Sequence, residues 1–193
     1  MSMIFVEMKA VFRKSFLRRV RYFLIIPEKQ VKESGSVSMD KVKAYLRGFG
    51  VQDRIMEFDV SSATVELAAR AIGCEPERIA KTLSFSTGEN CLLIVAAGDA
   101  RVDNSRYKER FGSRARMLRP EQTLEKVGHA VGGVCPFDVK QGVPVYLDIS
   151  LKRFSTVFPA CGSSNSAIEM SLPELELCTK HAGWVDVCKD WQK

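Results

Sequence analysis

The sequence predicts an α+β protein, a mixed β-sheet that is partly curled and barrel-like, with helices packed around it. Three observations predict it. Strand-like and helix-like segments follow one another without regular β-α alternation. Two apolar runs, Ile79 to Ser86 and Cys91 to Ala97, flank Thr87-Gly88-Glu89-Asn90 and read as a hairpin. Hydrophobic residues make up 46% of the 193-residue chain and charged residues 27%, enough for a core in a globular domain.

The elements follow in order. Asp40 to Phe49 reads as a helix, with Val42, Tyr45, Leu46 and Phe49 on one face and Gly50 after its end. Arg54 to Val60 alternates as a strand. Ser61 or Ser62 caps a helix that runs to Ile72 and stops at Gly73. Glu75 to Arg78 is a helical turn before the hairpin. Asp103 to Phe111 is a helix closed by Gly112, and Arg116-Met117-Leu118 is a short strand. Pro120 opens a helix that turns Leu124 and Val127 inward. Val143 to Asp148 is a strand and Ser150 to Phe154 a helical turn. Thr156 to Ala160 and Ala167 to Met170 are strands around a small-residue loop. Pro173 starts a helix through Lys180, and Trp184 to Cys188 is a last strand.

Charge divides the chain. Residues 1–38 hold eight Lys/Arg against three acids, and residues 39–193 carry a net charge of only +1. Most of the basicity therefore belongs to the first segment. Its Phe12, Phe16, Val20 and Phe23 recur at helical spacing between arginines, a pattern open to a membrane or RNA surface. Its longest apolar run, Tyr22 to Ile26, is far too short to span a bilayer. Lys29 to Ser38 is polar and linker-like. Residues 1–38 are expected to be an extension the fold does not need, compatible with a misassigned start, and residues 39–193 the domain. No membrane association is expected.

The six cysteines show no C-x-x-C pair, and several sit in apolar runs. They read as reduced thiols of a cytoplasmic protein. With two histidines and no His/Cys cluster, neither a metal nor another cofactor is expected. A nucleophile needs a base within reach, and Cys135 near His129 is the one tempting pair. The plainer reading of Cys135 is a buried structural thiol. No Walker loop, nucleophile elbow or dinucleotide fingerprint occurs.

What remains is an ordered trio. Lys81 opens the apolar run Lys81-Thr82-Leu83-Ser84-Phe85. A loop, Gly132-Gly133-Val134-Cys135-Pro136, follows, and then a second, Ala160-Cys161-Gly162-Ser163-Ser164-Asn165. Lys81 either presents its ammonium to a ligand phosphate or snorkels at a strand end. The glycine pair either exposes N–H groups to a carbonyl oxygen or forms a plain turn. The second loop has the same two readings. Between them, Arg101 to Arg119 holds seven Lys/Arg and two acids, which suits a phosphate backbone or a solvated helix face.

This set, together with Gly98-Asp99-Ala100-Arg101-Val102-Asp103 and Asp148, resembles the YbaK-type, prolyl-tRNA synthetase-associated editing-domain superfamily over Asp40 to Lys189. The resemblance implies a free-standing trans-editing aminoacyl-tRNA deacylase, acting on a cysteinyl or alanyl ester of proline tRNA. It implies catalytic roles for Lys81, Gly132 and Pro136. Lys81 would hold the phosphate or ribose end of the terminal adenosine, and backbone of Gly132 to Pro136 would position the ester carbonyl. Gly133, Val134, Cys135, Asp148, Gly162, Ser163 and Asn165 would contact substrate, with Gly162 and Ser163 on an opposite wall. Arg101, Lys108, Arg114, Arg116 and Arg119 would meet the tRNA. Substrate groups would assist cleavage. The implied partners are mischarged tRNA and prolyl-tRNA synthetase. The alternative is a non-catalytic module of the same fold that binds tRNA or a synthetase.

Overall fold

The hairpin is the centre of the molecule. A computed structural model describes residues 28–192. The basic amphipathic pattern of residues 4–26 lies outside them. Strands β2 (Ile79–Thr87) and β3 (Asn90–Ala97) pair in antiparallel register from Ala80↔Ala97 to Thr87↔Asn90. Gly88, at φ +85°, supplies the left-handed residue that a two-residue hairpin turn requires.

Around this pair closes a curled, mixed, six-stranded sheet. β5 (Val145–Asp148) runs parallel to β3, and β9 (Gly183–Val185) parallel to β5. On the other side β6 (Thr156–Pro159) runs parallel to β2, and β8 (Met170–Ser171) antiparallel to β6. Two small ribbons complete the β-structure, β1 (Ile55–Glu57) with β7 (Ser166–Ile168) and β4 (Arg101–Val102) with β10 (Cys188–Lys189). Leu93, Ile94 and Val95 are completely buried, because both faces of β3 are covered.

Local signals set the helices. α1 spans Glu28–Arg47, α2 Val65–Ile72, α3 Asn104–Phe111, α4 Pro120–Val127 and α5 Leu172–Thr179. Asp103 caps α3 by accepting from the N–H groups of Ser105 and Arg106, and Gly112 ends it in the left-handed region. Ser171 and Glu174 form a reciprocal capping box on α5.

Several expectations need correction. The stretch Lys29 to Ser38, read as a linker, is helical, so α1 begins at Glu28 rather than Asp40. The stretch has no proline, and Gly35 alone does not break the helix. α2 is capped by Thr64, not Ser61 or Ser62, because Ser62 is tied to the Ser164 carbonyl. The strand expected over Arg54 to Val60 ends at Glu57, where the backbone of Phe58 turns to bond Asn165. Leu124 is 44% exposed while Thr123 is buried, so α4 turns Thr123 and Val127 inward. Arg116 to Leu118 makes one bridge, Phe85↔Met117, rather than a full strand.

Candidate active site

A cavity of about 460 Å³ opens between β2, the chain around Ser62 to Ala68, the start of α4 and the first glycine loop. Ala80, Lys81, Thr82, Leu83 and Ser84 of β2 line it. Met117, Leu118, Val131, Gly132 and Val134 also line it, as does Ala160 at the start of the second loop. Lys81 and the first loop thus meet at one site. The Ser62 to Thr64 segment, Ser84, Met117 and Thr123 were not foreseen as lining. The sequence carries no signal for them; in the structure Met117, like Val131, is a large apolar side chain left mostly exposed, 62% and 56%.

Lys81 is half-buried, and its Nζ donates to the Gly98 carbonyl at 2.8 Å. Burial pulls its pKa below the ordinary lysine value, and the nearby Asp99 carboxylate opposes this. Gly98 is required there by close approach. A Cβ at that position would lie 1.9 Å from the Pro76 carbonyl oxygen.

The first loop has two occupied donors and two open ones. The Gly133 N–H bonds the Ala130 carbonyl, and the Cys135 N–H bonds His129 Nδ1 at 3.2 Å. Pro136 has none to offer. Among the described residues, the N–H groups of Gly132 and Val134 have no intramolecular acceptor, and both residues line the cavity. Gly132 adopts φ +94°, which suits glycine. Pro136 is buried at the far side of the loop, against a separate hollow with Tyr45 and Val139.

The second loop stands behind the first. A Cβ on Gly133 would fall 2.7 Å from Ser163 Cα and 2.8 Å from the Gly162 carbonyl oxygen. Gly162 and Ser163 are buried and do not line the cavity. Asn165 brackets Phe58, donating from its side chain and accepting at its carbonyl, while Ser163 donates to Asn165 Oδ1 or Ser166 Oγ. This loop therefore fixes two cavity walls at once. Asp148 is fully buried elsewhere, accepting from the N–H groups of Ser150 and Val187.

Among the described residues, no Asp, Glu, His or Cys lines the cavity. His129 and Cys135 do lie together, Sγ to Nδ1 at 3.5 Å, but both are buried. Burial pushes the Cys135 thiol up to about 12 and the His129 imidazole down. With Nδ1 accepting from a backbone N–H, the histidine is a structural acceptor. Among the described residues, no group of three His, Cys, Asp or Glu side chains could hold a metal.

The basic stretch does not act as one. Arg106 pairs with Asp186 at 2.7 Å, and Arg110 covers Phe111 and Tyr146. Arg101 borders a hollow with Asp99 and Arg153, and Arg119 stands at the start of α4. Lys108, Arg114 and Arg116 share one groove with Asn104, Ser105 and Ala115. Among the described residues none of these three cations has an ion-pair partner.

Residues 60–177 match the model of the aminoacyl-tRNA editing domain. The chain belongs to this family. The editing domain is 51% identical over 157 residues to the Bacillus subtilis protein YwhH, covering 81% of this chain and all of that one. It is 34% identical over 104 residues to a proline–tRNA ligase of Halalkalibacterium halodurans, covering 53% of this chain and 18% of the ligase. Among solved structures it resembles one described as a candidate trans-editing enzyme for prolyl-tRNA synthetase. The TM-score is 0.71 at 28% identity, covering 79% of this chain and 97% of that one. No helix among the described residues is long and apolar enough to cross a membrane.

Proposed function

We propose that this editing domain is a free-standing deacylase that hydrolyses the ester of mischarged tRNA, with cysteinyl or alanyl proline tRNA as substrate. One observation carries the reading. A half-buried cation and two open backbone donors surround a cavity that, among the described residues, has no Asp, Glu, His or Cys in its lining. The likeness to part of a proline–tRNA ligase, and to a candidate trans-editing enzyme, supports the choice of tRNA and of prolyl-tRNA synthetase as a functional partner. A cytoplasmic location belongs to the same reading, as a substrate of mischarged tRNA would require.

In this reaction water adds to the ester carbonyl carbon, and the bond to the ribose oxygen breaks. The free amino acid leaves, and the ribose hydroxyl regains a proton. The Lys81 ammonium holds the phosphate or ribose end as a point charge. The Gly132 and Val134 N–H groups stabilise the carbonyl oxygen as charge develops on it. The proton moves through the substrate's own groups, the neighbouring ribose hydroxyl or a thiol. Small side chains differ by only about 1–3 kcal/mol in such a pocket, so a separate editing step is needed to remove them.

The test is hydrolysis of a panel of mischarged tRNAs, led by Cys- and Ala-charged proline tRNA. Rapid release of one of these two is expected. No release across the panel would overturn the reading, and retained tRNA binding would then identify a non-catalytic module.

A further inference from the structure

The segment Arg114 to Leu118 forms a ridge between two surfaces. Arg114 and Arg116 face the groove they share with Lys108, and the next residues, Met117 and Leu118, line the cavity. The ridge is pinned to β2. The Ser86 N–H donates to the Arg116 carbonyl at 2.8 Å, and the Leu118 N–H to the Ser84 carbonyl at 3.0 Å. Met117 is 62% exposed and Val131 56%, and both line the cavity.

We propose that this ridge is the track for the 3′ end of the nucleic acid. Lys108, Arg114 and Arg116 hold backbone phosphates, and Met117 with Val131 forms an apolar seat for the terminal nucleobase. The inference rests on the deacylase reading and adds to it the path by which substrate enters. Three cations without ion-pair partners among the described residues are complementary to a phosphate chain, whose binding is electrostatic and sequence-independent. An exposed, polarisable Met beside a valine suits the flat face of a base. The change from cation to apolar side chain between consecutive residues matches the change from phosphate to base at a strand's end. Arg106 and Arg110 are excluded, being engaged within the fold.

The experiment compares two substrates, aminoacyl proline tRNA and the matching aminoacyl-adenosine, which has no phosphates. Replacing Lys108, Arg114 and Arg116 together by Ala should lower kcat/KM on the tRNA at least ten-fold more than on the adenosine ester. It should also reduce the slope of log(kcat/KM) against log salt by up to about 2, at about 0.7 per phosphate contact. Met117→Ser should raise KM on both substrates. Thermal melting checks that each variant folds, and the milder Arg114→Gln/Arg116→Gln variant replaces the triple one if it does not. An unchanged salt slope, or an equal loss in the exposed control Arg47→Ala, overturns the proposal. If the wild type hydrolyses neither ester, the deacylase reading has failed. Filter binding of uncharged tRNA then decides the track, and equal affinity of wild type and variant would reject it.

Discussion

The Lys81 ammonium is anchored on the Gly98 carbonyl at 2.8 Å, one strand-end fixing the reach of the cation on its neighbour. That hydrogen bond spends one of the three ammonium donors and leaves the others for a ligand. Lys81→Ala should lower kcat/KM on mischarged proline tRNA about 10- to 150-fold, from the loss of a charged hydrogen bond of about 1.5–3 kcal/mol. Lys81→Arg should recover only part, since a planar fork does not reproduce a point charge. Steady-state deacylation with both variants checks this. A Lys81→Ala enzyme at wild-type rate would remove the lysine from the site.

The glycines that touch backbone should be the least replaceable. Gly98→Ala and Gly133→Ala each drive a Cβ into main-chain atoms, the Pro76 carbonyl and the Gly162–Ser163 segment. Each should cost about 1–3 kcal/mol or more and lower the melting temperature. Gly98→Ala should also reduce activity beyond its loss of stability, since it carries the Lys81 acceptor. Calorimetry with activity measured well below the transition separates the two effects.

Cys135 should behave as packing. Its thiol, raised to about 12 by burial, is almost entirely protonated at neutral pH. In the native protein a thiol reagent should reach Cys74, which is partly exposed, long before Cys135. Cys135→Ala should lower stability yet affect turnover far less than Lys81→Ala. Rapid native labelling of Cys135, read by mass spectrometry, would contradict this.

Glu174 links acid stability to α5. Its carboxylate accepts from Arg54 and from the Ser171 N–H, which hold its pKa down at about 2. An unfolded glutamate titrates near 4.3, so the folded value is the lower one. The stabilisation is therefore complete above about 4.3 and disappears as pH falls towards about 2. Glu174→Gln should melt below wild type at pH 7, and the gap should close across that window. A gap independent of pH would refute the linkage.

The domain division at residue 39 can be tested by truncation. Ser38 is buried, and its carbonyl lies against Gly162, where a Cβ would come within 2.9 Å. We propose that residues 39–193 fold alone. A chain beginning at Met39 should show native circular dichroism but melt below one beginning at Glu28. Failure of the shorter chain to fold would reject the division.

The parts readable from the sequence were those with local causes. The β2–β3 hairpin follows from a turn between two apolar runs, and α3 from Asp103 at one end and Gly112 at the other. Lys81 and Gly132 were identified separately by residue type, and the fold joins them in one cavity. The misreadings involve partners distant in the chain. Ser62 loses its capping role to Ser164, 102 residues away. That Gly162 and Ser163 lie against Gly133, outside the cavity lining, is likewise set by a contact far off in the chain and not by their own local pattern. Leu124 and Thr123 exchange places because the buried face of α4 depends on what it packs against, not on its own apolar pattern.

The contact between the two glycine loops bears on how such a site can diverge. With Gly133 seated on Gly162 and Ser163, a larger residue at Gly133 displaces the main chain of the second loop, and one at Gly162 runs into Ser38 and Val42 of α1, so neither glycine can change alone. On the proposed deacylase reading, a new substrate preference arises instead from side chains on the remaining walls, Ser62 to Val65, Ser84, Met117 and Thr123, which single substitutions can alter independently. On that reading, paralogues that remove different amino acids share one inherited glycine-loop frame and differ only in these interchangeable wall positions.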